Sequence, residues 1–189
     1  FSGHSVSAAG DVNGDGLDDV IIGAYGADPN EESSAGSSYV VFGKVDKAAV
    51  ELSILEEGGG GGFVINGAGH SDWSGFSVSG AGDINDDGLD DVIVGAYQAD
   101  TPQHGSAGAS YVVYGTTAIT AINLSTLEAE GGGGFVIEGV GGNDYSGKSV
   151  SAAGDINGDN IPDLIIGASN ADENNSNSGS SYVVFGADT

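Results

Sequence analysis

The chain has 189 residues, enough for one domain with a buried core. It carries 28 Asp and Glu residues against three Lys and no Arg, and this net charge of −25 excludes the clustered positive charge that nucleic acids and anionic membranes require. The absence of Cys excludes disulfides and thiolate metal sites, and no apolar run is long enough for a transmembrane helix, so we expect no membrane insertion.

A repeat with a period of 72 residues organises the sequence, because the same acidic motif begins at Asp11, Asp83 and Asp155. The predicted units are residues 1–72, 73–144 and 145–189, and the last one is incomplete. Each unit opens with an aromatic residue followed by Ser-Gly, at positions 1, 73 and 145. We expect these aromatic residues to pack between neighbouring units rather than to stack on a ligand. Because the chain begins at a repeat boundary, we expect it to be a piece of a longer protein.

Four short strands are predicted in each complete unit. The first lies at 5–8, 77–80 and 149–152, where Ser alternates with a small or apolar residue with a period of two. The second, at 20–24, 92–96 and 164–168, is a continuous aliphatic run that predicts a strand covered on both faces. The third follows at 39–43, 111–115 and 182–186, and the fourth at 63–65 and 135–137. A helical turn or hydrophobic peg is predicted before the fourth strand, at 52–56 and 124–128.

Four consecutive strands most simply form an antiparallel meander, so the predicted fold is all-β. One such sheet cannot bury both of its faces alone, whereas units arranged radially can, and four-stranded units in that arrangement are β-propeller blades. The third unit ends before its fourth strand. We therefore expect two blades and a partial blade that belong to a larger or oligomeric propeller or array.

The acidic motif has the composition of a loop that wraps a hard cation. Its first, third, fifth and ninth positions carry side-chain oxygens, its seventh can offer a backbone carbonyl, and its sixth needs a positive φ. Such an all-oxygen set suits Ca²⁺ better than Mg²⁺. EF-hand and dockerin loops begin similarly but close with a carboxylate at position twelve, which here is Ile22, Val94 or Ile166. The alternative is a metal-free Asx-rich turn, although three unneutralised aspartates would repel one another.

Residues 5–24, with the loop, the following strand and the later Tyr-Val-Val-Phe-Gly, resemble the FG-GAP repeat of integrin α-subunit β-propellers, and are closer still to bacterial, often cyanobacterial, surface proteins with these repeats. The resemblance implies four-stranded blades with Ca²⁺ in the loop between the first two strands. By position it assigns three metal sites, which comprise Asp11, Asn13, Asp15, Leu17 and Asp19; Asp83, Asn85, Asp87, Leu89 and Asp91; and Asp155, Asn157, Asp159, Ile161 and Asp163. The repeat is longer than the family's usual unit, and three units are fewer than its usual seven blades.

The predicted function is therefore non-enzymatic. We expect a calcium-binding, extracellular or cell-surface module for adhesion, surface structure or assembly, with a protein or a surface glycan as partner. One alternative is a repeating subunit of a filament or ring, in which the incomplete blade receives a strand from a neighbour through self-association. Another is a non-catalytic accessory module of a secreted enzyme. The three His residues occupy unrelated repeat positions, which argues against a catalytic or transition-metal role.

Overall fold

The computed structural model describes residues 2–46, 48–130, 132–172 and 177–187. The predicted all-β fold is confirmed, because these residues form three sheets that stand next to one another in chain order, one for each repeat. We call the sheets blades 1, 2 and 3. Within these described ranges the helices are short, and none is long and apolar enough to cross a membrane.

Blade 1 is the predicted antiparallel meander. Each strand pairs with the next one along the chain, and the strands are β1 (Ser5–Gly10), β2 (Asp19–Ala24), β3 (Ser37–Val41) and β4 (Gly62–Asn66). A shift of register between Ala8 and Gly10 bends β1 just before the acidic loop begins. A short 3₁₀ turn (Pro29–Glu31) lies between β2 and β3, and helix α1 (Leu52–Glu56) lies before β4.

Blade 2 repeats this meander with β5 (Ser77–Gly82), β6 (Asp91–Ala96), β7 (Ala109–Val113) and β9 (Gly134–Glu138). Helix α2 (Leu124–Glu130) precedes its last strand, so the predicted helical turns are confirmed in both complete units. Leu124 and Leu127 of α2 are buried in the core between blades 1 and 2. The helix therefore contributes apolar side chains to the core as well as leading into β9.

One strand was not predicted. Strand β8 (Ile122–Asn123) belongs to the second repeat but pairs in parallel with β4, which makes the sheet of blade 1 five-stranded. The side chains of Asn66 and Asn123 reinforce the pairing, with Asn66 Nδ2 donating to Asn123 Oδ1 at 3.1 Å. A strand of two residues is too short to show an alternation of apolar and polar side chains, so the sequence offered no signal for it.

Blade 3 has three strands, β10 (Ser146–Gly154), β11 (Asp163–Ala168) and β12 (Ser180–Val184). Within the described residues no fourth strand joins this sheet, and the partial third blade stays a prediction. Nothing among the described strands pairs with the outer edge of β12.

The hydrophobic core consists mainly of two layers between the blades. One face of blade 1 packs on blade 2, and the opposite face of blade 2 packs on blade 3. The prediction that every second strand is covered on both faces is therefore correct only for β6, whose residues are all buried. In the outer blades, Val20 and Ile165 are exposed, because no second blade among the described residues packs on those faces.

The aromatic residues at the unit starts pack between blades, as predicted. Between ring centroids, Trp73 lies 5.4 Å from Tyr25 of blade 1 in a tilted contact, and Tyr145 lies 5.6 Å from Tyr97 of blade 2 in an edge-on contact. Phe1, the third member of the predicted set, lies outside the described residues. His4 joins the same row by packing on Tyr25 and Phe76, so it has a packing role.

Candidate metal centre

Each acidic loop joins the first and second strands of its blade, which is the position that the family resemblance implied. The sixth position of each loop has the predicted positive φ, with values of 86° at Gly16, 90° at Gly88 and 73° at Asn160. Glycine adopts this conformation without strain, and Asn is among the side-chain-bearing residues that tolerate it best. The third loop therefore keeps the turn without its glycine.

The side-chain oxygens of the first, third and fifth positions converge inside the loop. In the first loop, Asp15 N–H donates to Asp11 Oδ1 at 3.0 Å and to Asn13 Oδ1 at 2.9 Å. Gly16 N–H donates to Asp11 Oδ2 at 2.8 Å, and Leu17 N–H donates to Asp15 Oδ1 at 2.9 Å. Two different side chains therefore present oxygens to one backbone amide, and the loop is closed by its own Asx turns.

The second and third loops repeat this geometry. Asp87 N–H donates to Asp83 Oδ1 at 2.9 Å and to Asn85 Oδ1 at 3.2 Å. Asp159 N–H donates to Asp155 Oδ1 at 3.1 Å and to Asn157 Oδ1 at 3.0 Å. The predicted residues at positions one, three and five are thus brought together in all three loops.

The ninth position is held differently from the others. Asp19 is buried, and its two carboxylate oxygens accept hydrogen bonds from Val12 N–H at 2.9 Å and from Gly43 N–H at 2.7 Å. Asp91 accepts from Ile84 N–H at 2.9 Å and Gly115 N–H at 2.8 Å. This carboxylate therefore fastens the loop to the end of the third strand.

Sequence reasoning missed the glycine that follows each third strand, which supplies this second hydrogen bond. The glycines are Gly43, Gly115 and Gly186. A Cβ at Gly43 would lie 2.6 Å from Asp18 O, so no side chain fits beside the loop. The recurrence of Gly after Tyr-Val-Val-Phe or Tyr-Val-Val-Tyr was the available signal, but its meaning depends on a contact that spans 24 residues.

Burial makes the ninth carboxylate costly to ionise. It raises the pKa of Asp91 to about 7; the amides of Gly115 and Ile84 oppose this increase, and the nearby charges of Asp87 and Asp83 add to it. The pKa of Asp19 is raised for the same reasons, with burial first. A cation among these carboxylates would favour their ionised forms.

The third loop is more open. Partial desolvation alone would raise the pKa of Asp155, but the backbone N–H groups of Asn160, Gly158 and Asp159 outweigh it, and the pKa is lowered. Asp155 is exposed, whereas its counterpart Asp83 is partly covered. The third loop therefore faces solvent at the open side of blade 3.

The donor chemistry fits a hard divalent cation. Each loop offers carboxylate and amide oxygens and no nitrogen or sulfur ligand, which suits Ca²⁺ rather than a transition metal. In the part of the chain that the structure describes, no three His, Asp or Glu side chains form a ready-made metal group. The ligand set would therefore have to include the Asn at position three. The carbonyls of Leu17, Leu89 and Ile161 remain predicted ligands.

Three comparisons with known proteins bear on the origin of the repeats. The chain is 33% identical to integrin alpha pat-2 of Caenorhabditis elegans over 176 residues, which are 89% of this chain and 13% of that protein. It is 33% identical to mouse integrin alpha-2 over 94 residues, 50% of this chain and 7% of that protein. It is 26% identical to bovine phosphatidylinositol-glycan-specific phospholipase D over 164 residues, 84% of this chain and 17% of that protein.

The chain thus spans less than a fifth of the length of each of these relatives. A family model described as the FG-GAP repeat matches residues 2–41, 74–113 and 146–184. Each match begins at the Ser-Gly turn and runs through the third strand of its blade. The chain therefore belongs to the FG-GAP repeat family and carries three repeats of the integrin alpha type.

Proposed function

We propose that the chain is a Ca²⁺-binding, extracellular or cell-surface propeller module that serves adhesion, surface structure or assembly. The observation that carries the proposal is the threefold repetition of one loop whose Asp and Asn oxygens converge on shared backbone amides. The similarity to two integrin alpha chains supports the adhesion role and the extracellular location. The net charge of −25 supports a cation as partner and argues against nucleic acid.

The residues of each loop have separate tasks in this proposal. The side chains at positions one, three, five and nine would hold the cation together with the carbonyl at position seven; in the second loop these side chains are Asp83, Asn85, Asp87 and Asp91. The buried Asp at position nine also fastens the loop to the third strand. When bound, Ca²⁺ would supply positive charge that neutralises the clustered carboxylates. The loop is then a joint that keeps the first three strands of a blade together.

Metal binding would stabilise the fold because only the folded chain assembles the ligands. Binding to the folded state alone stabilises a protein by about 2.7 kcal/mol per site at a ligand concentration 100-fold above Kd. Extracellular modules bind Ca²⁺ with Kd values of about 0.1–1 mM. We expect affinities in this range, with the open third loop weaker than the second.

Isothermal titration calorimetry with CaCl₂ tests the proposal. The second loop offers a matched pair of variants, because Asp86→Asn removes one charge without touching a predicted ligand, whereas Asp87→Asn removes one charge from a ligand. Asp86 has a φ of 57°, which Asn tolerates. We expect Asp87→Asn to abolish one binding event and Asp86→Asn to retain it. Absence of Ca²⁺ binding by the unaltered chain would refute the proposal.

The partner is proposed to be a protein or a surface glycan, and the chain itself is proposed to be non-catalytic. An accessory role beside a secreted enzyme is the alternative that the phospholipase D relative favours. An assay of the purified chain on bis(p-nitrophenyl) phosphate, with and without Ca²⁺, distinguishes an accessory module from a catalytic one. We expect no hydrolysis above the buffer rate, and turnover would contradict the non-catalytic role.

A second candidate function is assembly by strand exchange, which the unfinished edge of blade 3 favours. A groove of about 260 Å³ runs beside β12, lined by Ile137, Val140, Ile166, Tyr182 and Val184. In blade 2, the corresponding edge of β7 is occupied by β9. A fluorescent peptide of residues 122–138 should therefore bind this edge, as measured by fluorescence anisotropy, and Val183→Pro should prevent it. A peptide that does not bind would count against strand exchange.

A further inference from the structure

The eighth residue of each acidic loop is not a predicted ligand, yet in the second loop this residue contacts the first loop. Asp90 N–H donates to Asp11 O at 3.1 Å, and Asp90 Oδ2 accepts from Asp11 N–H at 2.8 Å. Asp11 is the first predicted ligand of its own loop. The backbone N–H and the backbone carbonyl of this ligand are therefore both held by one residue, which lies 79 positions further along the chain.

The carboxylate of Asp90 lies directly over the backbone where the first loop begins. A Cβ at Gly10 would be 2.1 Å from Asp90 Oδ2, so the residue before the first ligand has no room for a side chain. Hydrogen bonds to an ionised carboxylate are stronger than those between neutral groups. The contact holds only the backbone of Asp11, because the side-chain oxygens of Asp11 accept hydrogen bonds inside the loop.

Asp90 is itself placed by two predicted ligands of the second loop. It stands between Leu89, whose carbonyl is the predicted ligand at position seven, and Asp91, the carboxylate at position nine. Asp91 is held in turn by the amides of Ile84 and Gly115. A cation bound to residues 89 and 91 would restrict the backbone of Asp90 as well. One residue thus connects the two sets of ligands.

The third loop has no equivalent of Asp90. Its eighth residue is Pro162, which has neither an N–H group nor a carboxylate and can form neither hydrogen bond with Asp83. The ring of Pro162 lies against Gly82 instead, where a Cβ would be 2.8 Å from Pro162 Cγ. The third loop therefore does not hold the backbone of Asp83 in the way that the second loop holds Asp11.

Another contact is the same at both junctions between blades. Thr116 N–H donates to Val12 O at 2.8 Å, and Ala187 N–H donates to Ile84 O at 3.2 Å. In each case the donor follows the third strand of one blade, and the acceptor is the second residue of the loop before it. This contact does not distinguish the two pairs of loops, whereas the residue at position eight does. The second and third loops are therefore an internal control for the first and second.

We propose that Asp90 couples the first and second loops, so that Ca²⁺ in either loop raises the affinity of the other, whereas the third loop binds independently. The inference rests on the Ca²⁺ binding proposed above and adds its regulation. A cation in the second loop would restrict Asp90, and Asp90 would then hold Asp11 in place for the first loop. Linkage requires an equal effect in the opposite direction. We expect a coupling of about tenfold, because only two hydrogen bonds carry it.

Calcium titrations followed by ¹H–¹⁵N correlation spectra test the inference, because the amide at position six reports on each loop separately. These amides belong to Gly16, Gly88 and Asn160, and each donates to the first Asp of its own loop. Asp87→Asn removes the charge of one ligand in the second loop. We expect it to lower the Ca²⁺ affinity reported by Gly16 about tenfold, and to leave the affinity reported by Asn160 within about twofold of its original value.

Two proline variants separate the role of Asp90 from a general change in a loop. Asp90→Pro gives the second loop the residue that the third loop already has at this position, so the loop geometry accommodates it. In this background the affinity of the first loop should no longer respond to Asp87→Asn. Asp18→Pro is the matched control, because it makes the same change at position eight of the first loop, where Asp18 is exposed. The response to Asp87→Asn should remain in Asp18→Pro.

The reverse change should create a coupling that the unaltered chain lacks. Pro162→Asp gives the third loop the N–H group and the carboxylate that Asp90 uses. In this variant the affinity reported by Gly88 should fall when Asp159→Asn inactivates the third loop. In the unaltered chain Asp159→Asn should leave the affinity reported by Gly88 unchanged.

Hydrogen exchange in EGTA tests the contact without any metal. Asp11 N–H donates to Asp90 Oδ2, so its exchange should be slow in the unaltered chain. Exchange of this amide should be faster by about tenfold or more in Asp90→Pro and unchanged in Asp18→Pro. Equal exchange rates in all three chains would overturn the inference, whether or not the loops bind Ca²⁺.

The titrations distinguish failure of the coupling from failure of the Ca²⁺ sites. If all three amides respond to Ca²⁺ but Asp87→Asn leaves the affinity of the first loop unchanged, the coupling is refuted and the proposed function stands. A higher affinity of the first loop in Asp87→Asn would also refute it, since repulsion between the two cations would then dominate. If no amide responds to Ca²⁺, the proposed function fails and the coupling fails with it.

Discussion

The tightest contact between blades predicts a strong difference between two equivalent glycines. Gly95 and Gly167 occupy the same position in the second strand of blades 2 and 3, and neither has a positive φ. A Cβ at Gly95 would be 2.0 Å from the backbone oxygen of Gly147, whereas real Cβ atoms stay at least 3.0 Å from their neighbours. In Gly95→Ala, blades 2 and 3 must therefore separate by at least about 1 Å.

Overpacking of a core costs about 1–3 kcal/mol, and the upper end applies here because the obstacle is backbone and cannot change its rotamer. For a protein of this length, 3 kcal/mol corresponds to a loss of about 6–12 °C in Tm. Differential scanning calorimetry should show this loss for Gly95→Ala at micromolar concentration in 1 mM CaCl₂. Gly167→Ala is the matched control and should melt within about 1 °C of the unaltered chain. Equal Tm values for the two variants would refute the reasoning that the Gly147 carbonyl leaves no room for a side chain at Gly95.

Three other predictions concern the loops and helix α1. Burial raises the pKa of Asp91 from its ordinary 3.8 to about 7. In EGTA, the stability that this residue contributes should therefore be present at low pH and lost as the pH rises through 7. Urea unfolding at pH 5–8 should show this loss of stability in the unaltered chain and a weaker pH dependence in Asp91→Asn. Replacing 10 mM Ca²⁺ with EGTA at pH 7.5 should lower the Tm, because each site for which Ca²⁺ was 100-fold above Kd loses about 2.7 kcal/mol of stabilisation, and an unchanged Tm would contradict a structural metal. Tyr39→Phe removes the hydrogen bond that Tyr39 Oη donates to Glu56, and urea unfolding should show a loss of stability of about 1–2 kcal/mol. An unchanged stability would mean that α1 is held by the packing of Leu52 and Leu55 alone.

Local patterns in the sequence predicted most of the fold. The strands of each blade, the helical turns and the positive φ at position six follow from alternation, aliphatic runs and turn chemistry, which are encoded within a few residues. The convergence of Asp11, Asn13 and Asp15 follows in the same way. The loop residues are close in sequence, so their spacing alone limits where their side chains can lie.

Contacts between distant segments could not be predicted. The burial of Val92 and the exposure of Val20 differ only because blade 2 has two neighbours and blade 1 has one. The hydrogen bond from Gly43 N–H to Asp19 joins residues that are 24 positions apart, and the pairing of β8 with β4 joins residues that are 57 positions apart. No local pattern distinguishes such residues from others of the same type.

Because β8 of the second repeat pairs with β4 of the first, the repeated segment of 72 residues differs from the segment that folds as one blade. A gene could add or lose segments of 72 residues, but a cut between residues 72 and 73 would remove Ile122 and Asn123 from the edge of the sheet that precedes them. An excised first repeat would therefore expose β4 as a bare edge, because the strand that covers this edge belongs to the second repeat. The second repeat thus protects the edge of the first, and the structural boundary between these blades does not coincide with the sequence boundary at residue 73.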